Sequence, residues 1–324
     1  MFDIVTIGAG VKDVLLMSDQ FQFLQSSVFE GGVGECVSLG AKIELDKVVH
    51  STGGGATNAA VTFARLGYDT ATICRVGDDG AGRDILIDLQ REGIKTTLVQ
   101  RVIGGSTGYS TLLTAPGGER TVLVYRGVSA EFTKTDIPWS DIKTRWIYIT
   151  SLGGNLPLTK LIAQTAAKKN ISVAYNPGSK EIATGLPAFR TFLKYIRVFT
   201  LNREEAEKLT KEKDIARMFK KLATPGNVVL ITDGHNGAYG YKNGHAYFVT
   251  TSGTRAVSAT GAGDAFGSGF VASFMQTGDL ATSLAIGTYN AECVIKHIGA
   301  KDGIIHKWPT STQLKGINVK PFKI

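Results

Sequence analysis

Cysteine is scarce in this sequence. Cys36, Cys74 and Cys293 are odd in number, far apart and without CxxC spacing, which argues against a disulfide scaffold and against a zinc site. Five histidines form no HExxH or HxxxH pair, so a histidine-ligated metal has no support. No GxxxxGK[ST] occurs anywhere, which removes the P-loop kinases. No apolar run reaches the roughly 18 residues of a membrane span, and the N-terminus lacks a basic leader. The expectation is a cytoplasmic protein with reduced thiols and no membrane partner. Lys and Arg exceed Asp and Glu by 36 to 28, yet the basic residues are dispersed or in short pairs such as Lys168-Lys169. Without a long basic run or a nucleic-acid-binding motif, anionic small molecules suit this charge better than nucleic acid.

What is present is a substantial core: 43% of the 324 residues are hydrophobic, enough for one large α/β unit or two smaller ones. Ile4 to Ile7 reads as a buried strand ending in Gly8-Ala9-Gly10. A dinucleotide fingerprint would need glycine at 13, where the chain has Asp13, and Val14 to Met17 reads as another strand instead of a helix. Asp13 therefore either grips hydroxyls at a strand end or caps a turn.

Residues 18–40 read as an irregular excursion, and Lys42 to His50 alternates as a half-exposed strand. Gly53-Gly54-Gly55-Ala56-Thr57-Asn58 leads into a helix closed by Gly67. Its glycines admit a ligand to the backbone, and Asn58 offers a donor and an acceptor; a plain helix start is the alternative. A strand over 70–76, the turn Gly77-Asp78-Asp79-Gly80 and a helix to Gly93 continue a βα alternation, the pattern of a helix-covered parallel sheet. Two strands, Thr107–Thr114 and Arg120–Arg126, interrupt it as a hairpin through residues 115–119, a candidate lid together with the strand at 42–50.

From Trp146 the alternation resumes: strands at 146–150, 172–175, 197–201 and 228–232, helices at 158–169, 180–195 and 204–210, and a hairpin at 238–250. No repeat and no linker divides the chain, so residues 1–324 read as one domain with lid segments near 11–52 and 98–130. Asn202 and Glu205 follow a strand at helix spacing, as a capping box or as a holder of hydrated Mg²⁺. Thr232, Gly234 and Gly237 end the next strand, where glycines admit phosphates or simply make a turn. After a strand-like run at Arg255–Ser258 comes Thr260-Gly261-Ala262-Gly263-Asp264, opening an apolar helix. Uncovered N–H groups at a helix start converge on an anion, and a first-turn carboxylate beside them can accept a proton. A glycine-rich turn is the alternative.

In this order the motifs resemble the ribokinase-like, or PfkB-type, carbohydrate kinases, and Arg65-Leu66-Gly67 to Gly77-x-Asp79-x-x-Gly82 resembles that family's first signature. The resemblance runs from the first strand to about Ala300. It implies an α/β fold, a three-layer αβα sandwich with a mostly parallel central sheet and a small β-sheet lid. It also implies transfer of the γ-phosphoryl of ATP to a primary hydroxyl. On it, Asp264 is the base and Gly261, Ala262 and Gly263 are the anion hole. Asp13, Gly54, Gly55 and Asn58 bind the acceptor. Asn202, Thr232, Gly234, Gly237 and Asn290 hold the nucleotide, and Glu205 holds Mg²⁺ through water. The acceptor is a sugar, or a nucleoside or phosphosugar; a catalytically retired sensor is the alternative outside enzymes. The chain departs from the pattern at Ser258-Ala259, where Asp-Thr is usual. That acidic position commonly helps bind a monovalent cation, so K⁺ activation does not carry over. Open lid strands suit a homodimer.

Overall fold

The computed structural model describes residues 1–29, 31–115 and 120–324; the expected turn through 116–119 lies outside them. In chain order the strands are β1 (Phe2–Ile7), β2 (Val11–Met17), β3 (Gln22–Gln25), β4 (Val33–Cys36), β5 (Lys47–Gly53), β6 (Thr70–Ile73), β7 (Arg75–Gly77), β8 (Gln100–Val102) and β9 (Gly108–Thr114). They continue as β10 (Arg120–Tyr125), β11 (Thr144–Ile149), β12 (Ser172–Tyr175), β13 (Val198–Asn202), β14 (Val228–Thr232), β15 (Ala238–Lys242), β16 (His245–Val249) and β17 (Val319–Phe322). The helices are α1 (Gly55–Arg65), α2 (Gly80–Arg91), α3 (Leu156–Lys168), α4 (Ser179–Ile182), α5 (Leu186–Arg190), α6 (Arg203–Thr210), α7 (Ile215–Leu222), α8 (Ala262–Thr277) and α9 (Leu280–Val294).

Consecutive residues of the central strands face opposite sides, so their unbroken apolar runs feed two cores at once. Val5 and Ile7 of β1 join Ile147 and Ile149 of β11 in a core under α3, α5, α6 and α7. Ile4 and Tyr148, from the same strands, pack against Phe63 of α1 and Phe266 and Phe270 of α8. The sheet runs β17-β16-β15-β14-β13-β12-β11-β1-β6. From β6 to β14 the strands are parallel, and β15, β16 and β17 add an antiparallel edge. This is the αβα sandwich.

A separate sheet, β10-β9-β2-β5, forms the lid. β2 leaves β1 through Gly8-Ala9-Gly10 and pairs with β5 so that Asp13 lies opposite Ser51, and with β9 so that it lies opposite Ser110. Alternation places Val11, Asp13, Leu15 and Met17 on one face of the lid.

Several expected elements differ. Residues 18–40 contain the β3–β4 hairpin, and the strand expected at 42–50 begins at Lys47 and reaches Gly53. The helix expected over 180–195 is broken by Gly185, at φ 82°, and by Pro187. Arg255–Ser258 is no strand: the N–H groups of Val257 and Ser258 both donate to the Ile295 carbonyl at the end of α9, at 2.7 and 3.2 Å. Helix α7 and strand β17 were not expected. Among the described residues no helix is long and apolar enough to cross a membrane.

Candidate active site

The site lies where the first turn of α8 meets the lid. Gly261, at φ 81°, ends the loop in a left-handed conformation and packs on Ala300, so that a side chain there would sit 2.7 Å from the Ala300 Cα. Glycine is required. Gly263 has open space beside its Cα, so its backbone is accessible to a ligand. Of the amides expected to form the anion hole, that of Ala262 already donates to the Ala259 carbonyl at 3.3 Å. This corrects the expectation for Ala262. Gly261, Gly263 and Asp264 have no hydrogen-bond acceptor for their N–H groups among the described residues.

Asp264 Oδ2 accepts from Asn58 Nδ2 at 2.8 Å, across the junction of α8 and α1. Burial pushes the Asp264 carboxyl above the ordinary aspartate range, and the Asn58 hydrogen bond only partly offsets it. Asn58 is 4% exposed, and its own Oδ1 is buried without a partner. An amide oxygen left in that state is an acceptor awaiting a ligand hydroxyl.

Two cavities meet at this carboxylate. One, about 270 Å³, is lined by Asp13, Gly54, Asn58, Ser110, Arg120, Thr260, Gly261 and Asp264. The other, about 240 Å³, is lined by Asn176, Thr200, Asn202, Glu205, Thr232, Gly261, Gly263 and Asp264. Gly261 and Asp264 belong to both, so a group reaching in from either side arrives at the same carboxylate. In the first cavity burial also raises the Asp13 carboxyl, opposed by Ser110 and the charge of Lys301. Gly54, at φ 97°, has the Ala9 carbonyl where a side chain would begin. Gly55 packs on Thr150 and does not line the cavity.

In the second cavity Asn202 and Glu205 form the capping box of α6: Asn202 Oδ1 accepts from the Glu205 N–H at 2.8 Å, and Glu205 Oε2 from the Asn202 N–H at 2.9 Å. Burial pushes the Glu205 carboxyl up. Thr232 lies beside Asn202 in register. Gly234 and Gly237 sit one turn beyond and do not line it. Gly237 is needed by the turn itself, at φ 115° with the Val249 carbonyl against it.

Asn290 must be corrected outright. It is fully buried, its Nδ2 donates to the Ala265 carbonyl at 2.8 Å, and its Oδ1 accepts from the Ile305 N–H at 3.1 Å. With these groups satisfied inside the protein, it ties α8 to α9 and the C-terminal segment and lines neither cavity.

Sequence reasoning missed Asn176, Arg120 and Lys301. Asn176 ends β12 at the crevice edge, a position that follows from strand order. Arg120 pairs with Thr114 across the lid hairpin, which alternation could have aimed inward. Arg126, just past β10, is exposed and lines neither cavity. Lys301 belongs to no motif.

Two polar cavities thus share one carboxylate between a parallel sheet and a β lid. The pfkB family carbohydrate kinase model matches residues 33–307. An uncharacterized sugar kinase of Archaeoglobus fulgidus is 31% identical over 245 residues, 75% of this chain and 97% of that one. The ribokinase of Haemophilus influenzae is 26% identical over 260 residues, 78% of this chain and 83% of its own. Among solved structures, the nucleoside kinase of Methanocaldococcus jannaschii, an archaeal member of the ribokinase family, superposes with a TM-score of 0.77 at 18% identity, covering 98% of each chain. The chain belongs to the pfkB family of carbohydrate kinases.

Proposed function

We propose that the protein moves the γ-phosphoryl group of ATP to a primary hydroxyl of a sugar, with Asp264 as the base. The observation that carries this is the sharing of Asp264 between the two cavities. The acceptor lies in the cavity lined by Asp13 and Asn58, its hydroxyls bonded to the Asp13 carboxylate and the orphaned Asn58 Oδ1. Asp264 takes the hydroxyl proton as the new O–P bond forms and the bond from the γ-phosphorus to its bridging oxygen breaks, ADP leaving, while the free N–H groups of Gly261 and Gly263 stabilise the charge developing on the phosphate. The lid covering Asp13 excludes water, which would otherwise compete for the phosphoryl group.

The phosphates lie against Gly263, Asn202 and Thr232. Glu205, with Asn202 beside it, suits a hydrated Mg²⁺, because one carboxylate among amide and hydroxyl oxygens leaves the ion most of its waters. When bound with ATP, the ion neutralises phosphate charge. Nothing in the donor set at Ser258-Ala259 supplies a carboxylate for K⁺.

A larger acceptor, a nucleoside or phosphosugar, is the second reading. It is favoured by a further cavity of about 610 Å³ under the lid, lined by Leu15, Met17, Arg120, Arg255 and Val257, which shares Arg120 with the acceptor cavity. Incubation with ATP, Mg²⁺ and either ribose, ribose 1-phosphate or inosine, followed by ADP release, tests both. Turnover with ribose supports the first reading, and turnover with inosine or ribose 1-phosphate alone the second. Release of ADP independent of all three contradicts both.

The protein is also proposed to act as a homodimer through the lid. Strand β10 is a sheet edge that exposes Val122, Leu123, Val124 and Tyr125, and such an edge seeks a partner strand. Mass measured by light scattering should be twice that of one chain, and a Leu123→Lys variant should halve it. Free Cys36, Cys74 and Cys293 suit the reducing cytoplasm.

A further inference from the structure

Beneath the acceptor cavity lies a lysine that the proposed mechanism does not use. Lys301 is 6% exposed, and its Nζ donates to Thr52 Oγ1 at 2.7 Å and to Asp88 Oδ2 at 2.9 Å. Thr52 Oγ1 in turn donates to the same Asp88 oxygen, closing a triangle. The three residues come from different parts of the fold: Thr52 from lid strand β5, Asp88 from α2, and Lys301 from the segment after α9. The main chain is fixed as well, since Arg65 Nη1 donates to the Lys301 carbonyl at 3.1 Å and to that of Ile304 at 2.8 Å.

Both neighbours of this triangle belong to the acceptor site. Ala300, adjacent in sequence, lines the cavity and packs on Gly261. Gly53, adjacent to Thr52, lies against the Asp13 carboxylate so closely that any side chain there would overlap it. Pulling Lys301 away would thus release the lid base on one side and the wall of the anion hole on the other.

We propose that Lys301 is a positioning residue for the acceptor, whose buried ammonium holds the Asp13 carboxylate and the Ala300 wall in register with Asp264. This rests on the reading of the Asp13 cavity as the acceptor site. Asp13 is faced by the Ser110 hydroxyl from β9, Lys301 from below, Asp264 from α8, Lys12 on its own strand and the Gly53 backbone from β5. Lys301 and Lys12 favour its charged form, while burial and Asp264 oppose it. Lys12, next to Asp13 on β2, points to the opposite face of the strand and pairs there with Asp84 at 2.8 Å, whereas Lys301, paired with Asp88, is buried, so Lys301 is the cation whose removal Asp13 will register. Lys301 itself faces Asp88, Asp13, Thr52 and Cys74.

The test is Lys301→Met beside Lys301→Arg, with whichever of ribose, ribose 1-phosphate or inosine the wild type phosphorylates. Acceptor affinity by calorimetry is followed against pH, with ATP affinity as reference. At pH below the acid midpoint Lys301→Met should weaken the acceptor about tenfold relative to wild type, as for a one-unit rise in a carboxylate whose charged form it depends on, with a smaller effect at neutral pH. It should leave ATP affinity within about twofold and move the acid midpoint of acceptor binding to higher pH. Lys301→Arg should restore the midpoint. Equal weakening of ATP and acceptor, or a midpoint that stays in place, overturns the proposal and leaves only a structural lysine. If Lys301→Met fails to fold in a thermal melt, Lys301→Gln, neutral but polar, takes its place under the same criteria. Should none of the three acceptors be phosphorylated, the acceptor-site reading itself fails and this inference falls with it; phosphorylation with an indifferent Lys301→Met sinks this inference alone.

Discussion

Helices α2 and α8 begin alike in sequence and differently in chemistry. Each starts at a glycine-rich stretch with an aspartate, Asp79 as the residue before α2 and Asp264 in the first turn of α8. Asp79 caps α2: it accepts from the Gly82 N–H at 2.8 Å, the Thr107 N–H at 2.8 Å and the Thr107 hydroxyl at 2.6 Å. Burial works against its charge, but these bonds outweigh it and hold the carboxyl below the usual range. Among the described residues Asp264 caps no helix and has Asn58 alone as a side-chain donor, and it is held above that range. A carboxylate with its lone pairs filled stabilises a fold, whereas one left short can accept a proton. The same amino-acid types thus give a clamp at α2 and, on the proposed mechanism, the base at α8, and the count of donors separates them.

The contrast can be broken most severely at the two aspartates themselves. Asp264→Asn should lower turnover by about 10³-fold, within the range for loss of a general base, while leaving ATP affinity near normal. Its effect on stability carries the opposite sign. Because the folded pKa of Asp264 is raised, its contribution is fully present at pH below the unfolded value and is lost as pH rises through the folded one. The variant should therefore melt no lower than wild type at pH 8, with any gain disappearing in acid. Asp79→Ala should do the reverse: turnover per folded molecule is retained, while stability falls by about 1–2 kcal/mol, as for other lost helix caps. Its folded pKa is lowered, so this deficit is present at neutral pH and shrinks as pH falls through that pKa. Equal loss of turnover in both variants would erase the distinction.

Smaller effects sharpen it. Gly263→Val puts a side chain into the open space beside Gly263, where the proposed mechanism places the phosphate, and should raise the KM for ATP about tenfold, the order for one lost hydrogen bond to a charged group, with the acceptor KM little changed. An unchanged ATP KM would remove Gly263 from the phosphate site.

How much of this was legible in the chain follows the same division. Asp13, Gly54, Asn58 and Asp264 are small or polar residues near junctions of strands and helices, and all four line the cavity of about 270 Å³; Asp79, at a similar junction, caps α2 instead, so position alone does not mark a site residue. The central strands were legible because burial on both faces demands unbroken apolar runs. Asn290 entered only through the resemblance, and its partners are the Thr62 hydroxyl and backbone groups of α8 and the C-terminal segment. Helix α7 carries apolar residues at Ile215, Met218, Phe219 and Leu222, a helical spacing that was readable. Lys301 was not readable at all, since its two partners lie more than 200 residues away, at separations of 249 and 213.

The account stands on Asp264 being a carboxylate kept short of hydrogen bonds so that it can act as a base, with Asn58 as its one restraint. The pH dependence of kcat measures this most directly. Turnover should be lost as pH falls through a value above the ordinary aspartate 3.8, and in Asn58→Ala, which removes the bond that favours the charged form, the acid limb should move to still higher pH. An acid limb that lies below 3.8, or that stays in place when Asn58 is replaced, would contradict it.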